Sequence, residues 1–96
     1  MLQVIKDVLK ITWDDEDTRI LESIENGKAY LQAYTGTSLD FETPGLARDL
    51  LINFCRLDYN NAREHFPKLF DEDLQALKWQ EAVKDWEAQQ DAENPE

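Results

Sequence analysis

Apolar residues in this chain recur every three or four positions, block after block, and few residues interrupt the blocks. The 96 residues include only three glycines and three prolines. A period near 3.6 lines such residues along one face of an α-helix, whereas a half-buried strand needs strict alternation. So few turn-forming residues do not suit a sheet of many short strands. The expected fold is all-α: a small bundle of a short N-terminal helix and three longer helices, followed by a flexible acidic C-terminal tail. One domain is expected over residues 1–86, with 87–96 as an acidic, disordered tail. A core of this size is modest, so packing against other copies or a partner is expected to add stability.

The first helix runs from Leu2 to about Ile11, with Leu2, Ile5 and Leu9 on one face beside Val4 and Val8. Thr12-Trp13-Asp14-Asp15 breaks it. The second helix starts at this acidic cluster, where Asp14 or Asp15 is expected to cap free backbone N–H groups and Glu16 and Asp17 to complement the helix dipole. Its stripe is Ile20, Ile24, Gly27, Leu31 and Tyr34, with Leu21 and Tyr30 alongside. A glycine on that stripe predicts that another helix approaches closely there. Thr35-Gly36 ends it.

After a loop over 36–43, Thr43 is expected to cap a third helix and Pro44 to occupy its first turn. Ala47, Leu50, Leu51, Phe54 and Leu57 form its stripe, and the polar run Tyr59–Arg63 is expected to continue it. Pro67 disfavours helix at Phe66, so His65–Phe70 reads as a connector. The fourth helix begins near Asp71, with acids at its positive end. Leu74 and Leu77 form one stripe; Ala76, Trp79, Val83 and Trp86 form another. Two stripes on one helix near the chain end predict a contact outside the monomer.

Charge excludes several function classes. Ten basic residues against 21 acidic ones give a net charge of −11. A duplex-DNA binder needs a basic stripe to neutralise phosphates, and an anionic membrane surface would repel this chain too. Hydrophobic residues still make up 42% of the chain, too many for a disordered polyanion. No segment approaches the roughly 20 apolar residues of a membrane helix, and Met1-Leu2-Gln3-Val4 leads straight into amphipathic sequence. A single cysteine, Cys55, forms no internal disulfide, which fits synthesis in a reducing cytoplasm.

Templates for catalysis are missing from the pattern. His65, the one histidine, lies two to three helical turns from Cys55, so a Cys–His pair is not expected. Cys55 is expected to pack as a small apolar residue, and His65 to end the third helix. Gly27, Gly36 and Gly45 do not have phosphate-loop spacing. Asp14-Asp15-Glu16-Asp17 lacks the alternation and central glycine of a calcium loop, so no metal and no cofactor is expected. Phe66 and Phe70 are expected to fold back onto the core; with Trp79, Val83 and Trp86 they are also the candidate partner contacts. Asp14, Asp15, Asp40 and Glu42 are candidate acids of a channel or partner-facing loop.

The succession Ile11-Thr12-Trp13-Asp14-Asp15-Glu16-Asp17, Ile20-Leu21, Ile24, Tyr30-Leu31 and Tyr34-Thr35-Gly36 resembles the small head-tail connector (adaptor) proteins of tailed bacteriophages and prophages. A later helix ending near Tyr59-Asn60-Asn61-Ala62-Arg63 extends the likeness, although Asn61-Ala62 separates Asn60 from the arginine. The likeness covers residues 2 to about 66 and leaves out the helix with Trp79 and Trp86. It implies a non-enzymatic ring subunit at the head–tail interface of the virion, assembled in the host cytoplasm. The implied partners are the portal protein, a stopper or head-completion protein and further copies of itself. DNA would pass through the ring without specific binding. The charge alone admits a second reading, an acidic inhibitor that mimics DNA and blocks a nucleic-acid enzyme.

Overall fold

The computed structural model describes the backbone of residues 1–93 and the side chains through residue 87. Five α-helices build it: α1 (Leu2–Leu9), α2 (Asp17–Thr35), α3 (Leu46–Tyr59), α4 (Phe66–Leu69) and α5 (Asp71–Glu93), with a 3₁₀ turn at Arg63–His65. There is no strand among the described residues. No helix among the described residues is long and apolar enough to cross a membrane.

The core follows the expected stripes. Ile20, Ile24 and Leu31 of α2 meet Leu50, Leu51, Phe54 and Leu57 of α3, and all are buried. Gly27 lies at the contact. A Cβ there would stand 2.6 Å from Leu51 Cδ1 and 2.9 Å from Phe54 Cδ1, closer than any carbon packs. Glycine is therefore what lets α3 approach α2, as its place on the stripe predicts. Gly36 ends α2 at φ 75°, the left-handed cap that suits glycine.

Four local expectations are corrected. No Asp14 or Asp15 side chain caps α2; its N-cap is Glu16, which makes no side-chain cap bond. Thr43 does not cap α3 either. Asp40 holds it instead, accepting bonds from the Glu42 and Thr43 amides and from the Thr43 hydroxyl, and α3 starts from Gly45. α3 stops at Tyr59, because Asn61 turns left-handed at φ 58° and the Ala62 amide bonds back to the Leu57 carbonyl. The connector at 65–70 contains α4: Pro67 lies in its first turn, where no backbone donor is needed.

α5 sets the overall shape. It packs through Leu74 and Leu77, both buried, and then runs on. Twenty-three residues span about 34 Å. The molecule measures 54 × 26 × 17 Å, with a radius of gyration of 15.5 Å against about 12.5 Å for a compact domain of this length. The helix continues past the expected boundary at Glu87 to Glu93; the rest of the expected tail, 94–96, lies outside the described residues.

Candidate functional site

α5 carries two apolar faces, and the helix period sets them on opposite sides. Trp79 follows Leu77 by two residues, a rotation of about 200°. Trp86 follows Trp79 by seven, which returns it to the same side, and Ala82 and Val83 lie between. Leu74 and Leu77 face the bundle. Trp79 is 71% exposed and Trp86 60%. With Ala82 and Val83 they line a shallow hollow of about 420 Å³. Lys78 lies on one flank, above the Tyr34 ring at 5.5 Å. The second stripe thus stands uncovered in the monomer. The two tryptophans form an exposed apolar patch on α5.

The aromatics expected beside them belong elsewhere. Phe66 is fully buried, with Tyr30, Phe54 and Phe70 rings 5.7, 5.3 and 5.1 Å away. It is a core residue, folded back onto the bundle as its sequence context predicts. Phe70 is half-buried against the same core.

The four candidate acids divide into two pairs. Asp14 and Asp40 have work inside the domain. Lys6, 7% exposed on its side chain, places Nζ 2.8 Å from Asp14 Oδ1 and 2.9 Å from Asp17 Oδ1. This clip ties α1 to the turn before α2. The hydrogen bond to Lys6 pulls the Asp14 carboxyl below the usual carboxylate range, and the bond to Asp14 lifts Lys6 above the usual lysine range. Asp40 is lowered in the same way, chiefly by the Thr43 hydroxyl. Asp15 and Glu42 are exposed and form no ion pair among the described residues.

The signs of these shifts predict a pH profile. A raised lysine stabilises the fold up to about pH 10.4 and loses that effect as pH rises through its higher folded value. A lowered aspartate stabilises above about pH 3.9 and loses it as pH falls through its lower folded value. Lys6→Met removes the clip. The melting-temperature gap between wild type and Lys6→Met is expected to be constant from about pH 5 to 9 and to narrow on either side. A gap that stays level to pH 12 would show that Lys6 contributes by packing alone.

A second polar set joins α2 to α3. The Tyr59 hydroxyl donates to Glu16 Oε2 at 2.6 Å, and the Trp13 indole N–H reaches the same oxygen at 3.3 Å. Arg19 donates to the Tyr59 carbonyl at 3.0 Å and lies over its ring at 5.0 Å. Ser23 donates to the Asp58 carboxylate. Thus the acidic turn and the tyrosine that the sequence comparison singled out meet each other.

Sequence reasoning missed Lys6 and the partners of Glu16. The signal for Lys6 was present: it falls among Leu2, Ile5 and Leu9 on a buried face, with four acids just beyond. A lone lysine on an apolar stripe needs an anion.

Cys55 is buried, and burial pushes its thiol up to about 12, so it is inert packing rather than a nucleophile. His65 lies exposed in the 3₁₀ turn, beyond the end of α3 that it was expected to occupy. Among the described residues no group of histidine, cysteine and carboxylate side chains has the arrangement of a metal site.

Residues 1–73 match the family model described as phage gp6-like head-tail connector protein. The match ends just inside α5, so Trp79, Val83 and Trp86 lie beyond it. Comparison with curated proteins and with solved structures found no match.

Proposed function

The chain belongs to the phage gp6-like head-tail connector family, and we propose that it is a structural adaptor subunit forming a ring below the portal. The ring joins the portal to a stopper or head-completion protein, and DNA moves through its channel. Residues 1–73 carry this reading, because the family match covers every helix of the bundle up to the start of α5.

The geometry supports it in two ways. Trp79, Val83 and Trp86 form an apolar face turned away from the bundle, suited to docking on the portal or on a neighbouring subunit. Asp15 and Glu42 form no ion pair among the described residues. With the exposed edges of Asp14 and Asp40 they supply fixed negative charge for a channel or a partner's loop. A net charge of −11 repels phosphate, so DNA slides past without sticking. The role is mechanical and calls on no reaction or cofactor.

The test mixes purified protein with purified portal particles or tail-less capsids and reads the product by co-sedimentation and electron microscopy. A closed ring of added density under the portal is expected. Particles that stay bare, alongside salt-sensitive binding of the chain to a basic nucleic-acid enzyme, would replace this reading with that of an acidic inhibitor.

A further inference from the structure

The charges bordering the tryptophan face of α5 bear on what covers it. Lys78 directly precedes Trp79, and Asp85 directly precedes Trp86. Both therefore lie on one flank, about 100° round the helix from the indoles. Gln80 and Glu87 hold the matching places on the other flank. Lys78 and Asp85 are exposed, and neither forms an ion pair among the described residues. Two helical turns set them about 10.5 Å apart, too far to pair with each other.

We propose that in the free protein the Trp79–Trp86 face pairs with the same face of a second copy, the two α5 helices running antiparallel about a two-fold axis at Ala82. This goes beyond the connector role above and needs neither portal nor ring. Charge selects both the occupant and its direction. In an antiparallel pair related by a two-fold axis, like flank meets like flank. A register centred on Ala82 brings Lys78 within one residue of the second copy's Asp85, and symmetry makes the pair twice. Each charge left single in the monomer thus gains the opposite one. A parallel pair brings unlike flanks together and sets Asp85 against the second copy's Glu87, which repels.

Packing and length agree on the same register. Trp79 falls between the second copy's Val83 and Trp86, and Ala82 meets Ala82 at the axis, where a small side chain lets the backbones approach. Residues 71 and 93 are equidistant from Ala82, so the two helices overlap from end to end. Leu74 and Leu77 hold each bundle on the far side of its own helix. Two tryptophans bury about 300–500 Å² on one side, short of the roughly 800 Å² per partner of a standard interface. The pairing is therefore weak and reversible. It covers in the free protein the face that docking uses, so it must open before that face engages another molecule.

Charge reversal tests the occupant and the direction together. Lys78→Asp and Asp85→Lys each replace two facing ion pairs by two like-charged pairs. Both change exposed residues, and circular dichroism first verifies that both variants melt like wild type. Sedimentation velocity is run at about 0.15 M salt, where the net charge of −11 is screened beyond about 8 Å while facing side chains are not. At up to about 1 mM chain, wild type is expected to form a dimer and grow no further, because a two-fold contact is closed. Each variant alone is expected to dimerise about tenfold more weakly, and their equimolar mixture to recover wild-type affinity as a 1:1 heterodimer, the acidic flank of one facing the basic flank of the other. Trp79→Ala/Trp86→Ala is expected to stay monomeric. A monomeric wild type, a species larger than the dimer, a charge variant that dimerises like wild type, or a mixture no tighter than the variants alone overturns the pairing. Portal binding is read separately. A monomeric wild type that forms a ring on portal particles removes only this pairing, and a dimer that leaves portals bare removes only the connector reading.

Discussion

Phe66→Ala is expected to lower the melting temperature by more than about 12 °C. Phe66 is fully buried and touches three other rings. Truncating a buried phenylalanine costs about 3–5 kcal/mol, the lost transfer energy together with the cavity left behind. A domain of this length has only about 5–14 kcal/mol in total. At about 4–8 °C per kcal/mol the shift exceeds 12 °C. The cavity term should be large here, because the neighbours are rigid rings on three helices: Tyr30 on α2, Phe54 on α3 and Phe70 at the end of α4. Thermal melts by circular dichroism decide it. A shift under about 4 °C would show that α4 is only loosely docked. Phe66→Leu, which keeps most of the volume, should recover much of the loss.

That residue also shows where the sequence stops informing. Ile20, Ile24 and Leu31 of α2, and Leu50, Leu51, Phe54 and Leu57 of α3, sit where a 3.6 period places them, because both helices bury one continuous face. Gly27 was legible for the same reason: a glycine on a buried stripe has few causes other than close approach. Phe66 was not, because Pro67 next to it signals a break. Proline breaks a helix only where a backbone donor is needed, and Pro67 falls in the first turn, where none is. The start of α2 misled for a related reason. A run of acids before a helix fits capping, but Lys6, eleven positions before Asp17, competes for two of them. A buried ammonium is the stronger claimant, since leaving it unpaired costs more than leaving a helix end to water.

The candidate site was half legible. The second stripe of α5 could be read from spacing, and the structure adds that the two stripes lie on opposite sides, which leaves the tryptophans uncovered. A groove between α2 and the 63–67 segment, with Tyr30, Arg63 and Pro67 in its lining, could not be read. It is made by side chains from α2, α3 and the 63–67 segment, and no local pattern records which surfaces of three separate segments fail to fill the space between them. The acids were legible as charge but not as roles: Asp14 and Asp40 are taken up within the domain, and only position in three dimensions separates them from Asp15 and Glu42.

Truncation after Lys78 is expected to abolish assembly onto portal particles while leaving the fold in place. The cut retains Leu74 and Leu77, the buried α5 residues among those described, and removes Trp79, Val83 and Trp86. The bundle loses the half-buried Glu81 against the loop before α3, so melting should fall by only a few degrees. The loss to assembly is far larger. Central tryptophans are typical hot spots, each costing about 2 kcal/mol or more when removed. Two of them amount to at least about 4 kcal/mol per contact, close to a thousandfold in affinity. A ring repeats that contact at every subunit, so the occupied fraction should fall from a full ring to none at the same protein concentration. Electron microscopy of mixed particles reads the ring, and a melt of the truncated chain reads the fold. A truncated chain that still forms a full ring would place the assembly surface within residues 1–78, and the tryptophan face would then have no part in it. If the ring is lost and the melt holds, the domain has separated its two tasks along one helix: the first turns of α5 close the core, and the later turns reach beyond it.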